Sequence, residues 1–294
     1  MKNFCYGLLL ILMATCSNKE AAVESSEYFF PGERITELKN KHLGEVSGIV
    51  ASVKNTSMFW AHNDSGNDPE IYLVDEKLNI KLTCRLTGVE NRDWEDIAIG
   101  PGPDVTKTYL YIGDIGDNEA IYPYKYIYRF EEPTFSVTGE ETINISSFER
   151  ITFRLDDETK DTETLLLDPL NKNLYVISKR EHPVYLYELK FPQSSHDTLT
   201  ATKVMSLPFS KIVGGDFSAD GKEILLKNYT HIYYWKNPSG KPIAEALIDA
   251  PVGVPYEVEP QGESITWSRD GKGFYTLSEL NKNKKSYLYF YKRR

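Results

Sequence analysis

The 294-residue sequence has only three cysteines, and two of them, Cys5 and Cys16, fall within its first sixteen residues. The body keeps Cys84 alone, which excludes a disulfide framework there. Its setting, "IKLTCRLTG", reads as a strand carrying a packed thiol rather than a nucleophile. Positive charge is also scarce: 34 Lys and Arg stand against 43 Asp and Glu, for a formal charge of −9 and a pI near 5.2. A chain this acidic lacks the basic face that nucleic-acid binding requires. The apolar run Tyr6–Met13 is too short to cross a bilayer as a mature helix. No Gly-x-Ser-x-Gly elbow, His-Glu-x-x-His pair, phosphate-binding Gly loop or Cys-x-x-Cys occurs, so the common hydrolase and redox signatures are excluded.

The same short apolar run, preceded by Lys2 and followed by small residues, fits the core of a secretory signal. "LMATC" resembles a bacterial lipobox, in which Cys16 carries the lipid and becomes the first mature residue. An unlipidated signal peptide is the alternative. The expected organisation is a signal peptide over 1–15, a lipidated polar tether over 16–32 and one folded domain over 33–294. That places the protein in the bacterial cell envelope, held to a membrane by its lipid alone, as a monomer.

What the chain has in abundance is aromatic residues, 20 Tyr and 13 Phe, a load suited to strands. It also repeats itself. "HNDSGND" (62–68) and "GDIGDNE" (113–119) each follow a short apolar stretch, and Asp64 and Asp114 stand 50 residues apart. Glu45 and Glu95 stand 50 apart as well. With these two units as a template, three more open at Glu163, Asp216 and Glu263. Each runs from an acid through a turn such as "SADGK" or "SRDGK" into an apolar strand, then into an alternating aromatic strand such as "VYLYEL", "HIYYW" or "YLYFY". Period-2 alternation between turn signals marks strands, and Asp-Gly marks hairpins.

Units of 40–50 residues with four strands each are propeller blades. The expectation is therefore an all-β propeller of five four-stranded blades, or six if one blade lacks these cues. The intervals between opening acids are 50, 68, 53 and 47 residues, and the long one implies an insertion over 134–150. Residues 33–41 are expected to close the ring by pairing with "SYLYFYK".

In a blade, the start of the innermost strand lies beside the end of the second. Glu45, Glu95, Glu163, Asp216 and Glu263 are thus expected around one channel mouth, with Asp64 and Asp114 in the adjoining loops. Carboxylates so placed repel unless protons or a cation neutralise them, and calcium suits an irregular set of oxygen ligands. Two other readings remain open: that the Asp-rich loops are only tight turns, and that the acids only accept backbone hydrogen bonds. His62, Asn63, Asp117 and Asn118 share these loops, and Lys179, Arg180 and Lys227 fall in equivalent loops of the next units. A small anionic ligand would bridge the two sides. Individually, each lysine also reads as a solvated cation, His62 as a structural histidine, and Trp60 and Trp94 as core.

The phrases "HNDSGN", "DWEDIAIGP", "LYIGDIGDN", "TETLLLDP", "GGDFSADG" and "QGESITWSRDG" resemble a family of secreted bacterial propellers without an assigned function, over about residues 43–280. More distantly, the acid-opened blades are similar to esterase-like phytase propellers and calcium-activated nucleotidases. The latter resemblance implies five blades and a calcium held in the tunnel by Glu45, Glu95, Glu163 and Glu263, with Ser47 and Ser264. Asp216 departs from that pattern, and no nucleotidase substrate motif is present. Two functions follow: a calcium-dependent hydrolase of phosphate or other anionic esters, or a non-catalytic module binding a glycan, peptide or protein with a structural metal.

Overall fold

A computed structural model describes residues 27–137 and 141–294; the signal peptide, Cys16 and most of the tether lie outside the described residues. The fold is all-β, with 21 strands and two short helical turns, Lys41–Leu43 and Ile243–Ala246, among the described residues.

Strand β1 (Glu33–Glu37) belongs to the last sheet although it comes first in the chain. The next strands, β2 (Val46–Ala51), β3 (Met58–Asn63), β4 (Glu70–Asp75) and β5 (Ile80–Leu86), form an antiparallel meander. A second meander follows in β6 (Trp94–Pro101), β7 (Thr108–Asp114) and β8 (Lys125–Glu131). Between β8 and its fourth strand the chain leaves to add β9 (Thr142–Ile145), parallel, on the outer edge of β5. It then returns as β10 (Glu149–Leu155) beside β8. The insertion expected over 134–150 is thus partly this fifth edge strand, and its last residues already belong to β10.

The third meander is β11 (Thr162–Leu167), β12 (Leu174–Ser178), β13 (Val184–Leu189) and β14 (Leu199–Leu207). Its outer strand pairs parallel with β10, which fuses two meanders into one eight-stranded sheet. The fourth is β15 (Gly214–Phe217), β16 (Glu223–Lys227), β17 (Ile232–Lys236) and β18 (Val252–Val254). "AEALIDAPV" does not supply a full fourth strand: Ile243–Ala246 is helical and only β18 pairs. The last sheet holds β19 (Ser264–Trp267), β20 (Gly273–Leu277), β21 (Tyr287–Lys292) and, outermost, β1, whose Glu33 faces Phe290. The N-terminal segment does close onto "SYLYFYK".

Burial follows position. The first strand of a meander is covered on both faces, as every residue of "VSGIVA" and "TETLLL" is buried. The outer strands alternate, as in β10. First strands also contact one another in a cycle, β2 with β6, β6 with β11, β11 with β15, β15 with β19 and β19 with β2. Each apolar cluster lies between neighbouring meanders: Val50, Trp60 and Leu73 meet Ile97 and Leu110, and Leu225 and Tyr234 meet Trp267 and Phe274. A fully buried side chain of this size contributes roughly 1.5–3 kcal/mol, so the sheets hold one another in place. The Asp-Gly hairpins form as expected, with Gly221 and Gly271 at φ of 70° and 68°, backbone that favours glycine.

Candidate metal centre

Of the three first strands with a register irregularity near their start, β6 carries it between Trp94 and Asp96 and β11 between Thr162 and Thr164. The skipped residues are Glu95 and Glu163. A bulge re-aims a side chain out of the normal alternation, and here it gathers both glutamates with the aspartates two residues upstream. Asp64, Asp93 and Glu95 form one group, and Glu95, Asp161 and Glu163 another; within each, one oxygen per residue lies within 4.8 Å of the others. Glu95 belongs to both. Asp93, Glu95, Asp161 and Glu163 are all buried.

The two groups differ in what neutralises them. Lys179 Nζ lies 2.7 Å from Glu163 Oε1, and Arg180 Nε lies 2.7 Å from Asp161 Oδ2. Asp161 Oδ1 also accepts the Asp117 amide at 2.9 Å. The Asp64 carboxylate accepts from the neighbouring Ser65 amide. Glu95, only 4% exposed, has no hydrogen-bond donor and no ion pair among the described residues. Burial raises the pKa of Glu95 well above the carboxylate range, and Glu163, Asp64 and Asp93 raise it further. Burial and the charge of Asp64 push Asp93 up to about 6. Asp64 is raised by burial, and Glu163 by burial despite Lys179. Burial opposes the charge on Lys179, but Glu163 more than offsets this and leaves its pKa raised.

Two further glutamates, Glu263 and Glu279, feel the charge of these groups. Glu263 accepts the Tyr229 hydroxyl at 2.6 Å. Burial and Glu263 push Glu279 up to about 8, with Asp64 and Glu45 adding to the repulsion. Oxygens within 4.8 Å of one another suit bonds of about 2.3–2.6 Å to a shared calcium, and an all-oxygen set selects a hard cation.

The other expected residues are distributed as follows. Glu45 is exposed, and its carboxylate accepts Asn67 Nδ2 at 2.7 Å while its carbonyl accepts the Asp64 amide at 2.8 Å. Ser47, skipped between Val46 and Gly48, holds the irregular position in β2. Asp216 turns to the neighbouring sheet, accepting Trp267 N at 2.9 Å and Thr266 Oγ1 at 3.0 Å. Asp114 accepts Asp93 N at 3.1 Å and lies 3.6 Å from Arg92, outside both groups. Asp117 ties its own loop, accepting Ile121 N and Tyr122 N at 2.8 Å. Asn118 accepts from Arg180. Asn63 donates to His42 O at 2.8 Å. His62 is buried in β3 with its ring edge-on to Trp94, and burial lowers its pKa to about 4, so it stays neutral. Lys227 is fully buried; it donates to Gly262 O and Tyr256 Oη and lies 3.9 Å from Glu259. Cys84 is a free buried thiol, pushed by burial up to about 12.

Asp93, Asp161, Tyr229 and Glu279 escaped the sequence reading. For the first two a signal existed: Asp93-Trp94-Glu95 and Asp161-Thr162-Glu163 repeat an Asp-x-Glu triplet. The chain matches no protein-family model and no curated protein. Chemically, the site can hold a hard cation on one side and present a guanidinium on the other.

Proposed function

We propose that this chain is a five-bladed β-propeller whose axial mouth binds a divalent cation, calcium by preference, and hydrolyses a phosphate or related anionic ester there. Five meanders with first strands in cyclic contact support the architecture. The observation that carries the cation site is Glu95: a carboxylate buried without a partner and shared by two oxygen groups. Leaving such a group charged and unpaired is costly, and a hard cation removes that cost.

In this reading Asp64, Asp93 and Glu95 hold the ion, because Asp161 and Glu163 already have Arg180 and Lys179. A bound divalent ion supplies polarisation of a phosphoryl oxygen and activation of water. Arg180, half exposed on its side chain, receives the anionic oxygens of the ligand. Neither Ser47 nor Ser264 is set up as a nucleophile, since their hydroxyls donate to Trp94 O and Ser47 O. The same fact supports the second reading, a module that binds an anionic ligand or partner without chemistry. Cys16 anchors the domain to an envelope membrane.

Metal analysis and thermal unfolding of the soluble domain test the site. Calcium at a hundredfold above its dissociation constant should stabilise the protein by about 2.7 kcal/mol, and Glu95→Gln should shrink that shift. Equal unfolding temperatures in calcium and in chelator, with no metal in the protein, would remove the site. A phosphoesterase panel with and without calcium then separates enzyme from binding module. For the anchor, Cys16→Ser should release the protein from membranes; unchanged membrane retention would refute lipidation there.

A further inference from the structure

A cavity of about 290 Å³ is lined by Tyr122, Lys125, Arg154, Asp156, Thr159 and Thr200 among others. It shares its framework with the candidate metal centre. Asp117 gives its amide to Asp161 Oδ1 and takes the Tyr122 amide on its own carboxylate. Thr159 stands two residues before Asp161. Lys125, on the cavity wall, and Thr162, beside Glu163, both donate to the Ile115 carbonyl.

The lining is mixed in a particular way. Arg154 is exposed and makes no ion pair among the described residues. Asp157 is saturated by Tyr187 Oη, Lys203 and Lys160. Asp156 keeps one oxygen beyond the bond its Oδ2 accepts from the Lys203 amide. The Thr159 and Thr200 hydroxyls make no hydrogen bond among the described residues, so they can donate or accept. Tyr122 is fixed by Arg92, whose guanidinium lies 4.3 Å from the ring centroid. Exposed Ile121 and Tyr124 flank it in sequence. A simple anion would meet the carboxylates of Asp156 and Asp157, and an apolar ligand would strand the hydroxyls and the guanidinium. A ring bearing several hydroxyls suits both donors and acceptors, with an aromatic side chain against its C–H face. At the low end of ligand-cavity volumes, roughly 300 Å³, the space admits a single ring.

We propose that this cavity binds one monosaccharide ring, and that an anionic substituent on that ring reaches Arg180 and the neighbouring acid groups. The first half stands on the cavity alone; the second rests on the cation reading above.

The test uses the soluble domain with a panel of free hexoses, N-acetylhexosamines and deoxyhexoses, observed by saturation-transfer NMR in chelator. At least one sugar should give ring-proton transfer that Tyr122→Ala or Arg154→Ala abolishes, with both variants retaining the wild-type unfolding temperature within a few degrees. Calorimetry in calcium then compares hexose 1-phosphates with inorganic phosphate, and the matching sugar phosphate should bind at least tenfold tighter. If no sugar shows transfer, or if both variants leave it unchanged, the sugar site is overturned. If the free sugar binds in the cavity but its phosphate gains nothing from calcium, the cation reading fails while the cavity stands.

Discussion

Gly116 lies directly against the Glu95 carboxylate: a β-carbon at position 116 would meet Glu95 Oε1 and Asp93 Oδ2 well inside van der Waals contact. Its backbone needs no left-handed torsion, so space rather than flexibility requires glycine here. Gly116→Ala should therefore push apart two residues of the oxygen cluster. Overpacking of this kind costs about 1–3 kcal/mol, and for a domain of this size each kcal/mol lowers the unfolding temperature by about 2–4 °C. The calcium-induced rise should shrink as well. An alanine variant with unaltered stability and an unaltered calcium response would show that the cluster is not packed this way.

The raised carboxylates predict the pH dependence of the metal-free protein. Asp93 at about 6 and Glu279 at about 8 bind protons more tightly folded than unfolded, and so does Glu259 at about 7, where burial is the cause. A raised acid contributes stability that is full below its unfolded pKa and is lost as pH rises through the folded one. His62, lowered to about 4, acts with the opposite sign only as pH falls below its unfolded value near 6.5, and Lys125 and Lys227, lowered by burial to about 8, oppose the acids only towards the upper end of the window. Between pH 6.5 and 8, chelator-treated protein should lose stability with rising pH, as read by urea midpoints. Calcium should flatten that slope. A slope of zero or of opposite sign in chelator would contradict the buried, unneutralised acids.

Closure of the ring can be probed at Phe29, which precedes β1 and is fully buried. Its ring lies 5.0 Å from Phe274, 5.4 Å from Tyr234 and 6.0 Å from Trp267. Phe29→Ala should cost about 3–5 kcal/mol, measured by denaturant unfolding. A loss below about 1 kcal/mol would mean that the N-terminal segment is dispensable to the last sheet.

The sequence showed the strands well, because alternation and Asp-Gly turns are local signals that packing then only confirms. It showed the site less well. A 50-residue spacing paired Glu45 with Glu95, yet the irregular residue in β2 is Ser47, so a bulge shifted the correspondence by two positions. The glycines of the repeated phrase also play different parts: Gly66 holds φ of 76° in its turn, while Gly116 makes room for carboxylates. Lys227 read as a cation facing the mouth, but burial against Gly262, Tyr256 and Glu259 could not be foreseen from spacing. Asp216 lies on a first strand as expected, but in unbroken register opposite Leu225, and its carboxylate accepts from Trp267 instead of joining the Glu95 group. Register and strand twist emerge from tertiary packing, which one sequence does not display.

Lys179 and Glu163 offer the sharpest electrostatic test. Their contact is 2.7 Å, with Glu163 almost fully buried and the Lys179 side chain 15% exposed. Removing one partner of a buried pair leaves the other uncompensated and costs about 3–5 kcal/mol. Lys179→Met keeps the length and apolar stem of the side chain while deleting its charge. In chelator this variant should unfold well below wild type. Calcium should then recover more stability in Lys179→Met than in wild type, since Glu163 loses its cation and becomes free to join Glu95 beside the ion. The comparison needs only two proteins and two buffers. A variant as stable as wild type in chelator would mean that Glu163 is already protonated and that its lysine is ornamental. A loss that calcium relieves no better than in wild type would mean that Glu163, freed of its lysine, still gives the ion no ligand.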